Sequence, residues 1–306
     1  MHLIIPASLP PASVSSDLLP HVQANCPALV HKMERLVAQS TQLAPEEIGC
    51  TPLEFLELSG HGYSGHHGHT FGAGLGAWRA GITHAAEPVW IADLCSVAIG
   101  REGAQLAIPE SLQVSSHEAD VLFEAARPLW SDSPISVLPL EPGRWRIWLP
   151  ADAQLNSISP AAVSALAIAD WWPQHASMKV WRKLLNEVQM LWHEHPVNVQ
   201  RQERGLGPLN SLWLYGGSPG WKPAPLAPKP TYYDGLTSAY LQGDWSQWIA
   251  QLPTLSAYLD TLPTDTPLTL LGERNIVQLN PVKRRWWQYL SPARQQKWEH
   301  WWTHQK

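Results

Sequence analysis

The sequence predicts a layered α/β fold, a mixed sheet with flanking helices and a small α+β insertion. Three observations predict it. Short apolar runs alternate with segments of helical periodicity along the 306 residues. Two alternating runs straddle Pro142-Gly143, the signal of a β-hairpin. The apolar fraction is 44%, enough to build a large core, and no internal repeat is visible.

Taken in order, Leu3-Ile4-Ile5 reads as a buried first strand stopped by Pro6, and Pro10-Pro11 with Ser13 to Ser16 as a turn-rich loop. Leu29, Met33, Leu36 and Val37 share one helical face and predict a helix over about 28–38. Thr51-Pro52-Leu53-Glu54 has the form of a helix start, with Thr as cap and Pro in the first turn. Val89 to Asp93 reads as a strand, Ser115 and Glu118 have capping-box spacing, and Ser159-Pro160 starts a further helix. The clearest pattern begins at Val180, where Trp181, Leu184, Leu185, Val188 and Trp192 form an apolar stripe. Pro196 predicts the end of this helix at His195. A polar crossing with Arg201, Arg204 and Gly205 follows, then a buried strand over 210–215 closed by Gly216-Gly217. Five prolines between Pro219 and Pro230 mark residues 217–230 as a linker or lid. Aromatics at irregular spacing run to Trp248, before a short helix over 255–262, a buried strand over 267–271, and a terminal helix from Ser291 bearing Trp298, Trp301 and Trp302. The expected organisation is one domain, 1–306, with a sub-domain at about 85–175 and a basic, Trp-rich C-terminal helix over 283–306.

A net charge of −5 argues against bulk nucleic-acid binding. The charge is uneven: six Lys/Arg and one Glu make residues 283–306 +5, which leaves −10 for the rest. Cys26, Cys50 and Cys95 show no pairing pattern, and no signal peptide or membrane span is apparent, so the expected setting is a reducing cytoplasm without membrane contact. Eighteen tryptophans suit either broad packing interfaces or an exposed surface for a protein partner, and composition leaves both open.

Two stretches carry candidate chemistry. His61, His66, His67 and His69 lie in a Gly-rich loop, a pattern able to bind a divalent transition metal, against the plain alternative of a turned loop with exposed imidazoles. Gly72-x-Gly74-x-Gly76 lacks the spacing of a dinucleotide fingerprint. In the second stretch, Arg201 and Arg204, beside His195, Asn198 and Asn210, could hold a small anionic ligand bidentately; otherwise the asparagines tie down turns and the arginines pair with acids.

Glu187 to Leu191, then His195-Pro196-Val197-Asn198-x-x-Arg201-x-x-x-Gly205-x-x-Pro208-x-Asn210-Ser211-x-Trp213-Leu214-x-Gly216, resembles a signature of the bacterial cofactor-independent phosphoglycerate mutase-like family. That family is also labelled regulatory protein of the pathogenicity-factor E type. The resemblance implies an alkaline-phosphatase-like core and, in active relatives, two divalent metals with a Ser or Thr nucleophile. This chain departs from that pattern. The first strand runs into Pro6-Ala7-Ser8 with no carboxylate before Asp17, Ala92 to Ser96 replaces an expected Pro-x-His element, and no late Asp-x-His follows Tyr233. The expectation is therefore a pseudoenzyme, a regulatory protein that binds a ligand or partner and needs no cofactor. The alternatives are a phosphotransferase or isomerase using Arg201 and Arg204, and a metal-binding protein using the His61–His69 loop.

Overall fold

The computed structural model describes residues 2–100, 103–107, 109–131, 133–164, 166, 168–281 and 298–303. Its strands are β1 (Leu3–Ile5), β2 (Val37–Gln42), β3 (Trp90–Gly100), β4 (Gly103–Ala107), β5 (Ser136–Glu141), β6 (Arg144–Trp148), β7 (Ser211–Gly216), β8 (Thr231–Tyr232), β9 (Leu268–Leu271) and β10 (Asn275–Asn280). The fold is mixed α/β, with a mixed sheet and flanking helices. The chain forms two compact units, one from residues 1–44 and 225–306, the other from residues 45–224.

In the first unit the strand order is β2-β10-β9-β1-β8. β1 runs parallel to β8 and β9, whereas β10 is antiparallel to β9 and β2. All three residues of β1 are buried, as its unbroken apolar run requires of a central strand. Its core packs Leu18 and Val22 from the helix Ala12–Asn25, Leu29 and Met33 from Pro27–Arg35, and Trp248, Leu252 and Leu255 from Trp245–Asp260. Trp298 and Trp302 join that core from the helix Trp298–Thr303; the rest of the expected basic helix lies outside the described residues.

In the second unit β3 is the central strand. It pairs antiparallel with β4, β6 and β7, and β5 and β6 form the expected hairpin. One face of this sheet carries Trp90, Ala92, Leu94, Trp145, Ile147, Leu212 and Leu214. The helices Ser116–Ser131 and Lys179–His193 cover it with Leu122, Phe123, Trp181, Leu184, Val188 and Trp192. The other face carries Ile91, Cys95, Trp213 and Tyr215, packed with Leu58 and Leu75 from the helices Pro52–Gly60 and Gly74–Arg79.

Asp93 sits on that second face and is 1% exposed. A carboxylate there must be paired to remain charged. Arg144, its cross-strand neighbour on β6, binds it with both arms, at 2.7 and 3.0 Å. The Tyr215 hydroxyl donates to Asp93 at 2.8 Å and accepts from Arg79 at 2.7 Å. Arg79 reaches on to Glu54 at 2.6 Å. Glu54 also accepts from Ser159 Oγ (2.6 Å) and from the Thr51 amide (2.9 Å), which completes the capping box of helix Pro52–Gly60. Asp93, Arg144, Tyr215, Arg79 and Glu54 thus form one largely buried chain from β6 to a helix start, with the exposed Glu141 also paired to Arg144. The glycine triplet serves the same packing. A Cβ on Gly76 would lie 2.2 Å from the Val89 carbonyl, and one on Gly72 would lie 2.0 Å from the Gly49 carbonyl.

Several sequence expectations are corrected. The expected loop at Ser13–Ser16 lies in the helix Ala12–Asn25, where Ser15, Leu18 and Val22 form its buried stripe in spite of Pro20. The helix expected over 28–38 ends at Arg35, and Val37 begins β2. The polar crossing after Pro196 is itself a helix, Pro196–Glu203, with Pro196 in its first turn and His195 as cap. The short helix at 255–262 is the end of a 16-residue helix that contains Pro253. β10, whose sequence mixes polar and apolar residues, was not anticipated. Residues 217–230 form no helix or strand, as their prolines imply. Each of the sixteen described tryptophans is buried or half-buried, so among the described residues the high Trp content serves packing.

Asp93→Asn is expected to destabilise the protein by about 2–3 kcal/mol, because it leaves the half-buried Arg144 with only the exposed Glu141 as an ionised partner. The paired replacement Asp93→Leu with Arg144→Met is expected to cost much less. Urea unfolding midpoints of the two variants test this directly.

Candidate functional site

Arg201 and Arg204 meet at one acid, Glu118. Its carboxylate accepts from the Ser115 amide (2.9 Å), the Ser115 hydroxyl (2.8 Å), Arg201 Nη1 (3.1 Å) and Arg204 Nη2. Arg201 is 0% exposed, and its other two nitrogens donate to the Gly207 and Leu112 carbonyls. All three nitrogens of this guanidinium therefore face protein acceptors. Arg204 is the outer member of the pair, with its side chain half exposed. Burial raises the pKa of Glu118, but the Ser115 hydrogen bonds and the two arginines lower it further, to about 2.

Asn198 is also buried. Its amide donates to the Trp192 and Leu209 carbonyls (2.7 and 2.9 Å) and accepts from the Leu209 amide at 2.7 Å. It fastens the end of one helix to the approach of β7. Asn210 extends the β3–β7 ladder by one rung through its side chain, which accepts from Val97 N and donates to Val97 O. His195 caps its helix by accepting from the Val197 amide at 3.3 Å, and burial lowers its pKa. These five residues thus form the joint between helix Lys179–His193, helix Pro196–Glu203 and β7.

The histidine loop is arranged differently. Gly62, Gly65 and Gly68 all take positive φ, and His66, His67 and His69 are exposed. The His66 and His69 rings lie 5.4 Å apart, whereas His61 packs against Trp78 and bonds to the Ala224 carbonyl. Among the described residues, no three His, Cys, Asp or Glu side chains gather into a metal-ligating group.

A cavity of about 1030 Å³ lies beside the joint. Asn186, Gln189, Met190 and His193 line it at helical spacing, and Val97, Ile168 and Trp172 supply the apolar wall. Met190 is 71% exposed, an unusual place for a large apolar side chain, and Gln189 Nε2 donates to Ser211 Oγ. An apolar wall with a few amide and imidazole groups is the composition of a site for a small organic ligand. The helical stripe in the sequence identified the buried side of Lys179–His193; the groove uses the flank next to it. Trp172 and Ile168 come from a short 3-10 turn and its edge, which carry no periodic signal, so sequence reasoning missed them.

Asn198→Ala is expected to cost about 2–3 kcal/mol in urea unfolding, because two carbonyls and an amide lose their buried partner. The lowered pKa of Glu118 makes an acid-side prediction. A carboxyl held below its ordinary value stabilises the fold above that value and loses the contribution as pH falls toward the folded pKa. Glu118 should contribute roughly 3 kcal/mol above about pH 5, lost progressively toward pH 2. A stability-versus-pH series should show this acid limb in the wild type and flatten it in Glu118→Gln.

The chain matches no protein-family model and no curated protein. Among solved structures it is similar to the cofactor-independent phosphoglycerate mutase from Thermoplasma acidophilum DSM 1728, at 13% identity over 93% of this chain and 90% of that one, with a TM-score of 0.34. It is also similar to the PH0037 protein from Pyrococcus horikoshii, at 14% identity over 93% of this chain and 88% of that one, with a TM-score of 0.42. No helix among the described residues is long and apolar enough to cross a membrane.

Proposed function

We propose that this chain is a ligand-binding, regulatory relative of the phosphoglycerate mutase-like proteins that does not carry out their metal-dependent reaction. The observation that carries the reading is the groove on helix Lys179–His193, with Met190 exposed beside Trp172 and with amide groups on its rim. Its occupant is a small organic molecule with a flat apolar body and hydrogen-bonding substituents.

Support for the loss of chemistry comes from the residues themselves. Where a metal-ligating carboxylate would follow β1, Ser8 stands instead, its hydroxyl donating to the Ile5 carbonyl and accepting from the Leu271 amide. Arg201 and Arg204 are read as a clamp on Glu118 and not as a phosphate grip, since Arg201 is wholly internal. Cys26, Cys50 and Cys95 are all free and buried, which favours a cytoplasmic setting.

A ligand-observed NMR screen against the full chain, repeated on Met190→Glu, tests the groove. Compounds that quench Trp fluorescence in the wild type should lose affinity by about tenfold or more in the variant, whose exposed substitution leaves the melting temperature within a few degrees. Equal affinity in both proteins would remove the groove as the site. A mutase assay with added manganese is expected to show no turnover, and turnover would overturn the non-catalytic reading.

A further inference from the structure

A second, smaller cavity of about 190 Å³ shares no residue with the groove. It lies between two loops of the second unit, Gly62 to His66 and Ser218 to Lys222. The loops are pinned at their base. The Ala224 amide donates to the His61 carbonyl at 2.8 Å, His61 Nδ1 meets the Ala224 carbonyl at 2.8 Å, and Trp221 Nε1 donates to the Gly74 carbonyl at 2.9 Å. The Tyr63 ring packs on Trp221 with centroids 4.9 Å apart and on Phe71 at 5.1 Å, so it has little freedom to swing away.

Tyr63 is 8% exposed, and its buried hydroxyl makes no hydrogen bond of good geometry, although the Ser218 hydroxyl lies close enough to act on it. A buried phenol oxygen so poorly partnered is costly, and native folds rarely leave one. Ser218, on the facing loop, donates its own proton to the Pro219 carbonyl at 3.1 Å. Burial raises the Tyr63 pKa more than the neighbouring Ser218 hydroxyl lowers it, so the oxygen keeps its proton and can act as a donor. The other polar side chains on the wall are Ser64, His66 and Lys222, and no Asp or Glu lines the cavity. The wall therefore offers hydroxyl, imidazole and ammonium groups and no carboxylate. The cavity is smaller than the roughly 300 Å³ at which sites for drug-sized ligands begin.

We infer that these two loops bind a phosphate-sized oxyanion, with the Tyr63 hydroxyl donating from the buried end and Lys222 supplying the charge at the rim. Hydrogen bonds from neutral donors to an anion are stronger than neutral pairs, and an ammonium adds the Coulomb attraction. The site places a small anionic ligand on loops remote in sequence from Arg201 and Arg204.

The test is isothermal titration of the full chain with inorganic phosphate at fixed ionic strength, with acetate as the comparison anion. Saturable one-to-one binding of phosphate is expected, with weaker binding of acetate. Tyr63→Phe and Lys222→Met should each weaken phosphate binding by about tenfold. Lys222 is exposed, so its replacement leaves folding intact and keeps the test decisive should the Tyr63 variant misfold. The thermal stability of ligand-free Tyr63→Phe separates a binding role from a structural one. It should equal or exceed the wild type, because the variant removes a buried hydroxyl that makes no hydrogen bond of good geometry. Absence of saturable binding, retention of full affinity in both variants, or a clear loss of stability in ligand-free Tyr63→Phe would each overturn the inference.

Discussion

A carboxylate on the inner face of a central strand has few stable environments, and Asp93 occupies one of them. It is held by the two arms of Arg144 and by the Tyr215 hydroxyl, and Tyr215 in turn hands the chain to Arg79 and Glu54. Each contact ties a different element to β3. Arg144 sets the register of β6, and Tyr215 that of β7. Arg79 and Glu54 bring in the helices Gly74–Arg79 and Pro52–Gly60. A slip of one residue in any of these strands would turn its charged group to the opposite, wholly apolar face, so the network penalises alternative pairings more than it adds net stability.

The opposite face depends on a second buried acid. Glu118 caps its own helix and also receives Arg201 and Arg204. With Asn198 and Asn210 it makes a polar joint at the edge of an apolar layer dominated by Trp145, Trp181 and Trp192. Because the joint fixes the C-terminal end of helix Lys179–His193, the flank carrying Asn186, Gln189, Met190 and His193 is held in place beside Trp172. The residues that look most like ligand contacts in the sequence therefore build the support, and the surface they position lines the groove. A groove on a rigid helix face, next to buried ion pairs, is preorganised and needs little reordering to bind.

Much of the fold was legible in particular residues. The stripe from Trp181 to Trp192, the capping boxes at Thr51 and Ser115, the hairpin at Pro142-Gly143 and the continuous apolar strands at Leu3 and Leu268 all use local rules that tertiary contacts did not override. The misreadings have equally local causes. Pro20 and Pro253 sit inside helices whose buried stripes outweigh one lost hydrogen bond each, and Pro196 follows the expected helix end but also starts a second helix, where a polar crossing was expected. The polar residues of β2 and β10 hide two strands that pair with each other along one side of the first sheet.

Sequence alone determined where most elements begin and which of their faces are apolar, because periodicity and capping act over a few residues; that Trp298 and Trp302 pack inward was decided by the tertiary structure. The sequence could also state both readings of Arg201, as an anion ligand or as the partner of an acid. Only the tertiary structure decided where its guanidinium points, since Glu118, 83 residues away, is brought beside it by the packing of two helices. The same holds for the groove and for the small cavity. Trp172 and Met190 come to line one cavity, and Tyr63 and Lys222 another, only after loops and helices distant in sequence are stacked on β3, and side-chain neighbours of that kind leave no trace in local pattern.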